Sequence, residues 1–123
     1  MKWLTLAVGG VAGTFARYTL AGAVYRAAGV RFPYGTLVVN LAGCFLIGVF
    51  DVLAQEKFVL GAQARLFLMV GFCGAFTTFS TLILETDGLL RDGLALRAAA
   101  NVAVSVAAGL AVFRAGALLG RWL

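Results

Sequence analysis

The chain has 123 residues, 63% of them hydrophobic and 12% charged, with a formal charge of +5 and a mean hydropathy of +1.01. That length holds one domain, and a soluble domain this small is mostly surface, with nowhere to hide so much apolar area. The composition excludes a soluble globular protein and implies an integral membrane one. The basic residues are scattered at the edges of apolar runs and form no continuous patch. Arginines flanking membrane spans account for the charge better than a nucleic-acid partner does.

Catalysis is also disfavoured. The chain has no histidine, which removes the usual general base near neutral pH and any Ser–His or Cys–His nucleophile. No phosphate-cradling lysine motif is present, so an enzyme is not expected. Cys44 and Cys73 both lie in apolar runs, where cysteine behaves as a small hydrophobe. Two cysteines without histidine cannot build a four-ligand zinc site, and a disulfide framework is not expected.

In chain order, the first apolar run follows Lys2, is interrupted by Arg17 and resumes through Tyr25. It predicts a transmembrane helix over 3–25. A secretory signal is the weaker reading, because the apolar character continues past the arginine. The next uncharged run, 32–50, starts beside the only proline, Pro33, and predicts a span over 33–53. At about 1.5 Å rise per residue, such a run crosses a hydrocarbon core of roughly 30 Å.

The third run, 66–84, predicts a span over 65–90. Its centre reads GFCGAFTTFST at 71–81, where two glycines and a dense set of hydroxyls give poor helix propensity. Membranes tolerate irregular backbone only where protein covers it or it lines a cavity. This stretch therefore predicts a helix broken near 74–78, with exposed carbonyls beside a polar pathway. A glycine-rich packing seam with hydroxyls bonded back to their own helix is the alternative. The fourth span is predicted over 97–120, with Arg114 near an end, where it can snorkel. The expected architecture is thus a single all-α domain over 1–123, with four transmembrane helices per subunit.

Orientation is the next question. Lys2, Lys57, Arg65 and Arg121 fall on one side, and Arg26, Arg31, Arg91 and Arg97 on the other. This balance leaves the positive-inside rule nothing to act on, which predicts insertion both ways and an antiparallel, dual-topology homodimer. The alternative is that shifted loop boundaries hide a bias. Four thin helices cannot enclose a pore and stay well packed, so oligomerisation is expected. Gly9 and Gly13 have the spacing for close helix approach, either between subunits or within one.

Polar residues recur on three helical faces: Thr36, Asn40 and Gly43; Thr77, Ser80 and Thr81, with Phe76 and Phe79 close by; and Asn101, Ser105 and Gly109. Interhelical hydrogen bonding explains any one of them. All three together favour a narrow, uncharged path whose amide and hydroxyl donors, with aromatic ring edges, suit a small anion. Arg17 would cost roughly 2.5–3.5 kcal/mol at mid-membrane. It is expected to face a wet vestibule or the protein interior, with snorkelling to an interface as the alternative. Glu85 is read as a solvated helix end.

GGVAGTFARY (9–18), GTLVVNLAGCFLIG (35–48) and GFCGAFTTFSTLILE (71–85) resemble the Fluc (CrcB) fluoride channels, and the likeness extends over nearly the whole chain. The resemblance implies an antiparallel homodimer of four-helix subunits, with two pores and a structural sodium ion at the dimer centre. It implies passive export of fluoride across the cell's inner (plasma) membrane, and fluoride resistance. By motif position, the sodium-binding carbonyls would belong to Gly74 and Thr77, and Asn40 would reach fluoride. Phe79 would be the first ring of the aromatic box, with Ser80 and Thr81 in the hydroxyl-bearing turn beside it. Ser105 would belong to the polar track of the fourth helix, and Arg17 matches the arginine of the first.

There are departures from the family pattern. Leu82 stands where a second phenylalanine is usual, Gly109 lacks the hydroxyl of the track, and Asn101 replaces an aromatic hydroxyl found in some members. A small proton-coupled multidrug transporter is the other reading from helix count and orientation. It depends on a glutamate in the first helix, whereas the first acidic residue here is Asp51. A non-conducting membrane assembly subunit is the third.

Overall fold

The computed structural model describes residues 1–123 and is entirely helical. Its elements are α1 (Lys2–Ala28), α2 (Tyr34–Gln55), α3 (Ala62–Arg65), a π-helical segment (Leu66–Cys73), α4 (Gly74–Phe76), α5 (Phe79–Arg91) and α6 (Ala95–Trp122). Three helical stretches are long and apolar enough to cross a membrane: Tyr34–Gln55, Ala62–Arg91 and Ala95–Trp122. Exposed large side chains such as Val70, Leu84, Val106 and Leu110 suit a hydrocarbon surround. The chain is an integral membrane protein by these features.

Two turns rest on backbone that glycine adopts easily. Gly29 at φ 83° stops α1, its N–H donating back to the Tyr25 carbonyl, and Pro33 then sets the entry to α2. Gly93 at φ 75° joins α5 to α6, with its N–H on the Leu90 carbonyl at 3.0 Å. These short turns hold consecutive helices beside one another.

Small residues carry the packing. Val39, Val52, Ala54, Ala98 and Ala117 are buried in the core, and the α2–α6 seam is the most extensive in the subunit. There Gly48 lies under the Phe113 carbonyl and Gly116 under the Phe45 carbonyl, so a methyl group on either would overlap backbone. α1 packs on the π-helical segment in the same way. A Cβ at Gly9 would stand 2.7 Å from the Phe67 carbonyl oxygen, and one at Gly13 would meet that of Phe72. The Gly9/Gly13 pair thus serves packing within the subunit, the second of the two roles its spacing allowed. Helices without a hydrophobic force between them hold together through such close approach.

The stretch Ala62–Arg91 is not one α-helix. Its first half widens into π geometry, which recurs at functional sites, and the chain then leaves helical conformation at two residues. Thr77 (φ −88°, ψ 158°) and Thr78 (φ −151°, ψ 114°) are extended, and α5 starts afresh at Phe79.

Candidate functional site around the broken helix

The break follows from where three backbone donors go. In a continuous helix, the N–H groups of Thr78 and Thr81 would bond the carbonyls of Gly74 and Thr77. Instead the Thr78 N–H donates to Asn40 Oδ1 at 2.8 Å, and the Thr81 N–H donates to Thr78 Oγ1 at 3.2 Å. Only the Thr77 N–H keeps a helical partner, the Cys73 carbonyl at 3.0 Å, and the Thr77 hydroxyl bonds that same carbonyl at 2.9 Å. The carbonyls of Gly74 and Thr77 have therefore lost their helical donors. Thr78 acts as N-cap for α5, the role for which threonine's short hydroxyl is suited.

Asn40 locks this geometry from α2. Besides accepting from Thr78, it donates Nδ2 to the Thr78 carbonyl at 3.0 Å, so one carboxamide satisfies both polar groups of the unwound peptide. Its second Nδ2 hydrogen remains for another acceptor. The close approach is possible because Gly43, one turn along α2, leaves room for the Thr77 methyl group, which any Cβ there would overlap.

Two cavities flank the break, and Thr78 lines both. The first, of about 430 Å³, is bordered by Asn40, Thr77, Phe79, Leu82 and Ser105, with Gly74 at its edge. No charged side chain lines it. The Ser105 hydroxyl there is buried without a hydrogen-bond partner inside the subunit, while Leu82 is 6% exposed and presents an aliphatic wall. The second cavity, of about 450 Å³, is bordered by Arg17, Tyr25, Thr36, Thr81 and Glu85. In it the hydroxyls of Thr36 and Tyr25 both donate to Glu85 Oε1, at 2.8 Å and 3.1 Å, and Glu85 Oε2 is buried without a partner.

The structure thus brings Asn40, Gly74, Thr77, Phe79 and Ser105 around one cavity, and places Arg17 and Thr81 around the other. Ser80 borders neither. It is exposed, with its hydroxyl 3.4 Å from that of Thr78. Phe79 is 75% exposed and Gly74 is exposed too, so the mouth of the first cavity lies on the subunit's outer surface. Phe76 is instead buried and stacked on Phe72, with ring centroids 5.5 Å apart.

Several sequence expectations change here. Glu85 is not a solvated helix end but the acceptor at the centre of a part-buried cluster. Thr36 leaves the Asn40 face to join it. Asn101 is 1% exposed and donates to the Thr86 hydroxyl at 3.0 Å, so it braces α6 on α5 rather than continuing the polar path of Ser105. Glu85 carried one legible signal, its four-residue spacing from Thr81, which puts both on one helical face. Nothing local marked Tyr25 as its partner. No group of three or more His, Cys, Asp or Glu side chains is placed to hold a metal ion.

Comparison with known proteins places the chain in a family. Residues 4–117 match the family model described as CrcB-like protein, Camphor Resistance (CrcB). The chain is 48% identical over 116 residues to the fluoride-specific ion channel FluC of Solidesulfovibrio magneticus, covering 94% of this chain and 93% of the relative. It is 51% identical over 118 residues to the protein of that name from Chlorobaculum tepidum, covering 96% and 93%. With the Geobacter sulfurreducens FluC it shares 48% identity over 120 residues, covering 98% and 97%. A helix unwound at paired threonines, clasped by an asparagine and flanked by two cavities, therefore sits in a chain matched almost end to end, and this chain belongs to the CrcB family.

Proposed function

We propose that the protein is a passive, fluoride-selective channel that lets the ion leave the cytoplasm through the inner (plasma) membrane and so confers fluoride resistance. The relatives at about half identity are named as fluoride-specific ion channels, not as enzymes. The single observation that carries the reading is the charge-free cavity beside the break. It collects an amide N–H from Asn40, the buried unpartnered hydroxyl of Ser105 and the Phe79 ring. Fluoride is small and strongly hydrated, so a dry path must return close hydrogen bonds for the water it removes. Amide and hydroxyl donors and the positive edge of a ring can do so, while a tight path disfavours larger chloride. Arg17 in the second cavity draws anions toward the path, and Thr81 adds a hydroxyl beside it.

The functional unit in this reading is an antiparallel homodimer of four-helix subunits. A lone subunit would expose the Gly74 region, with carbonyls freed from the helix, to a medium that cannot hydrogen-bond them. A second copy inserted the other way covers that surface. The converging carbonyls of Gly74 and Thr77 are chemically suited to a structural sodium ion, because unwound main-chain oxygens are hard ligands. The ion would supply the positive charge that offsets these oxygens at the dimer centre. Glycine is open at position 74, where an added methyl meets nothing within 4 Å in the subunit. Gly74→Ala therefore leaves the subunit fold intact and weakens the dimer.

The test is fluoride efflux from liposomes carrying the purified protein, started by a potassium ionophore. Rapid release of fluoride with chloride retained is the expected result. Folded, dimeric protein that releases no fluoride would falsify the channel. The transporter alternative has no support in α1, which contains no acidic residue at all.

A further inference from the structure

The cavity on the Asn40 side has a second chemical character that anion conduction does not use. Three sulfur atoms border it: Cys44 from α2, and Met69 and Cys73 from the π-helical segment. Both cysteines are free thiols, Cys73 buried and Cys44 partly so. Met69 and Cys73 are four residues apart in a helix whose turns are wider than α, so they share a face. Cys44 borders the same cavity from α2, with its sulfur in ordinary van der Waals reach, 3.5 Å, of a Cβ built at Gly109 of α6. Neither thiol hydrogen-bonds to a side chain or backbone group. No carboxylate or imidazole borders the cavity, so hard and borderline divalent ions find none of the ligands they prefer.

Thiol and thioether donors in a neutral, water-poor space select soft ions that accept two sulfur ligands in line. We propose that Cys44 and Cys73, assisted by the Met69 thioether, form a binding site for a soft thiophilic metal ion of the Cu(I) or Hg(II) class. An ion held there stands across the cavity between Asn40 and Ser105 and blocks it. With mercuric chloride, a neutral linear molecule that an anion-attracting vestibule does not repel, the exchange is balanced. Two Hg–Cl bonds break and two Hg–S bonds form, and two chlorides and two protons leave to solvent. No oxidant or reductant takes part. Because the thiols must lose protons, retention of the metal rises with pH.

Binding is independent of the channel reading, while the block rests on it, so the experiment reads both. Detergent-purified dimer is treated with mercuric chloride, washed with excess 2-mercaptoethanol and analysed for mercury. The expected result is one mercury retained per subunit in the wild type, and none in Cys44→Ala or Cys73→Ala, because a single thiolate cannot outcompete the wash. Methylmercury, which offers one coordination position, is expected to label both thiols without surviving the wash. This comparison needs no variant, and it keeps the test decisive should an alanine variant misfold. In liposomes, mercuric chloride is expected to cut wild-type fluoride efflux at least tenfold, with recovery on adding a dithiol. Wild type that retains no mercury, or two per subunit, overturns the site, as does equal retention in a folded single-cysteine variant. Retained mercury with undiminished efflux overturns the block, and with it the position of the cavity on the conduction path.

Discussion

The two cavities that share Thr78 differ in one respect above all. The Arg17 side holds a guanidinium and a carboxylate that two hydroxyls already bond, whereas the Asn40 side holds only neutral groups. A charged vestibule can gather ions cheaply because water still reaches it, and a neutral constriction can then pass them without binding them so tightly that they stay. In the proposed channel, the break separates these tasks. It puts an extended peptide between them, held by a side chain instead of by helix bonds.

Removing the clasp should abolish that difference, and it carries the largest expected effect. Asn40→Ala leaves both polar groups of the Thr78 peptide without partners, at about 1–3 kcal/mol for each group left buried. Fluoride efflux is expected to vanish, and the amides of 77–81 to lose protection in hydrogen exchange. Unchanged protection would show that the break is held by something other than Asn40. Asn40→Asp keeps an acceptor for the Thr78 N–H but loses the donor and adds a negative charge. It should retain more stability than alanine does, and conduct no better.

Gly43→Val tests the same region from the packing side. Its side chain must displace the Thr77 methyl, a case of overpacking that costs about 1–3 kcal/mol. The expected outcome is folded protein with a lower thermal midpoint and efflux reduced at least tenfold. Normal efflux would mean that α2 can move away from the break without harm.

On the charged side, Glu85→Ala strands the Tyr25 and Thr36 hydroxyls, while Glu85→Gln keeps an oxygen to receive them. Efflux should fall about tenfold in the alanine variant, equivalent to about 1.4 kcal/mol, and less in glutamine. Equal losses in both would indicate that the charge matters and the hydroxyl anchoring does not.

The smallest effect is expected far from both cavities. Glu56, in the link after α2, receives two hydrogen bonds from Arg121, at 3.0 Å and 2.9 Å. That hydrogen bonding, opposed by slight desolvation and helped by the arginine's charge, holds its carboxyl below the usual value of 4.5. A depressed carboxylate contributes stability above its unfolded pKa, and the contribution is lost as pH falls through the folded value. Both groups are solvent-exposed and screened, so Glu56→Gln should shift the thermal midpoint only slightly at neutral pH, and not at all in strong acid. A large shift at neutral pH would show this link to matter more to the fold than its exposure suggests.

How much of this was legible in advance can be judged residue by residue. The break was visible because GFCGAFTTFST combines poor helix formers with hydroxyls inside an apolar run, and helix propensity is a local property. Asn40 and Ser105 were visible as amide and hydroxyl groups on apolar helices, where polarity is costly and so carries information. Glu85 was not, because a carboxylate near a span end looks the same whether water or a tyrosine from another helix receives it. Asn101 misled for a related reason: its spacing from Ser105 gave a shared face but not which neighbour that face would meet.

Composition and hydropathy alone decided that the chain belongs in a bilayer, and residue chemistry alone marked where the third span would fail as a helix. Both follow from short-range physics, the transfer of side chains into hydrocarbon and the local cost of helical dihedrals. Only the tertiary structure decided that Asn40 replaces the lost helix bonds of Thr78, that Gly9 and Gly13 face the π-helical segment, and that charged and neutral groups part on opposite sides of one peptide. Those outcomes depend on which helix faces meet, and the meeting is set by close backbone packing between segments distant in the chain.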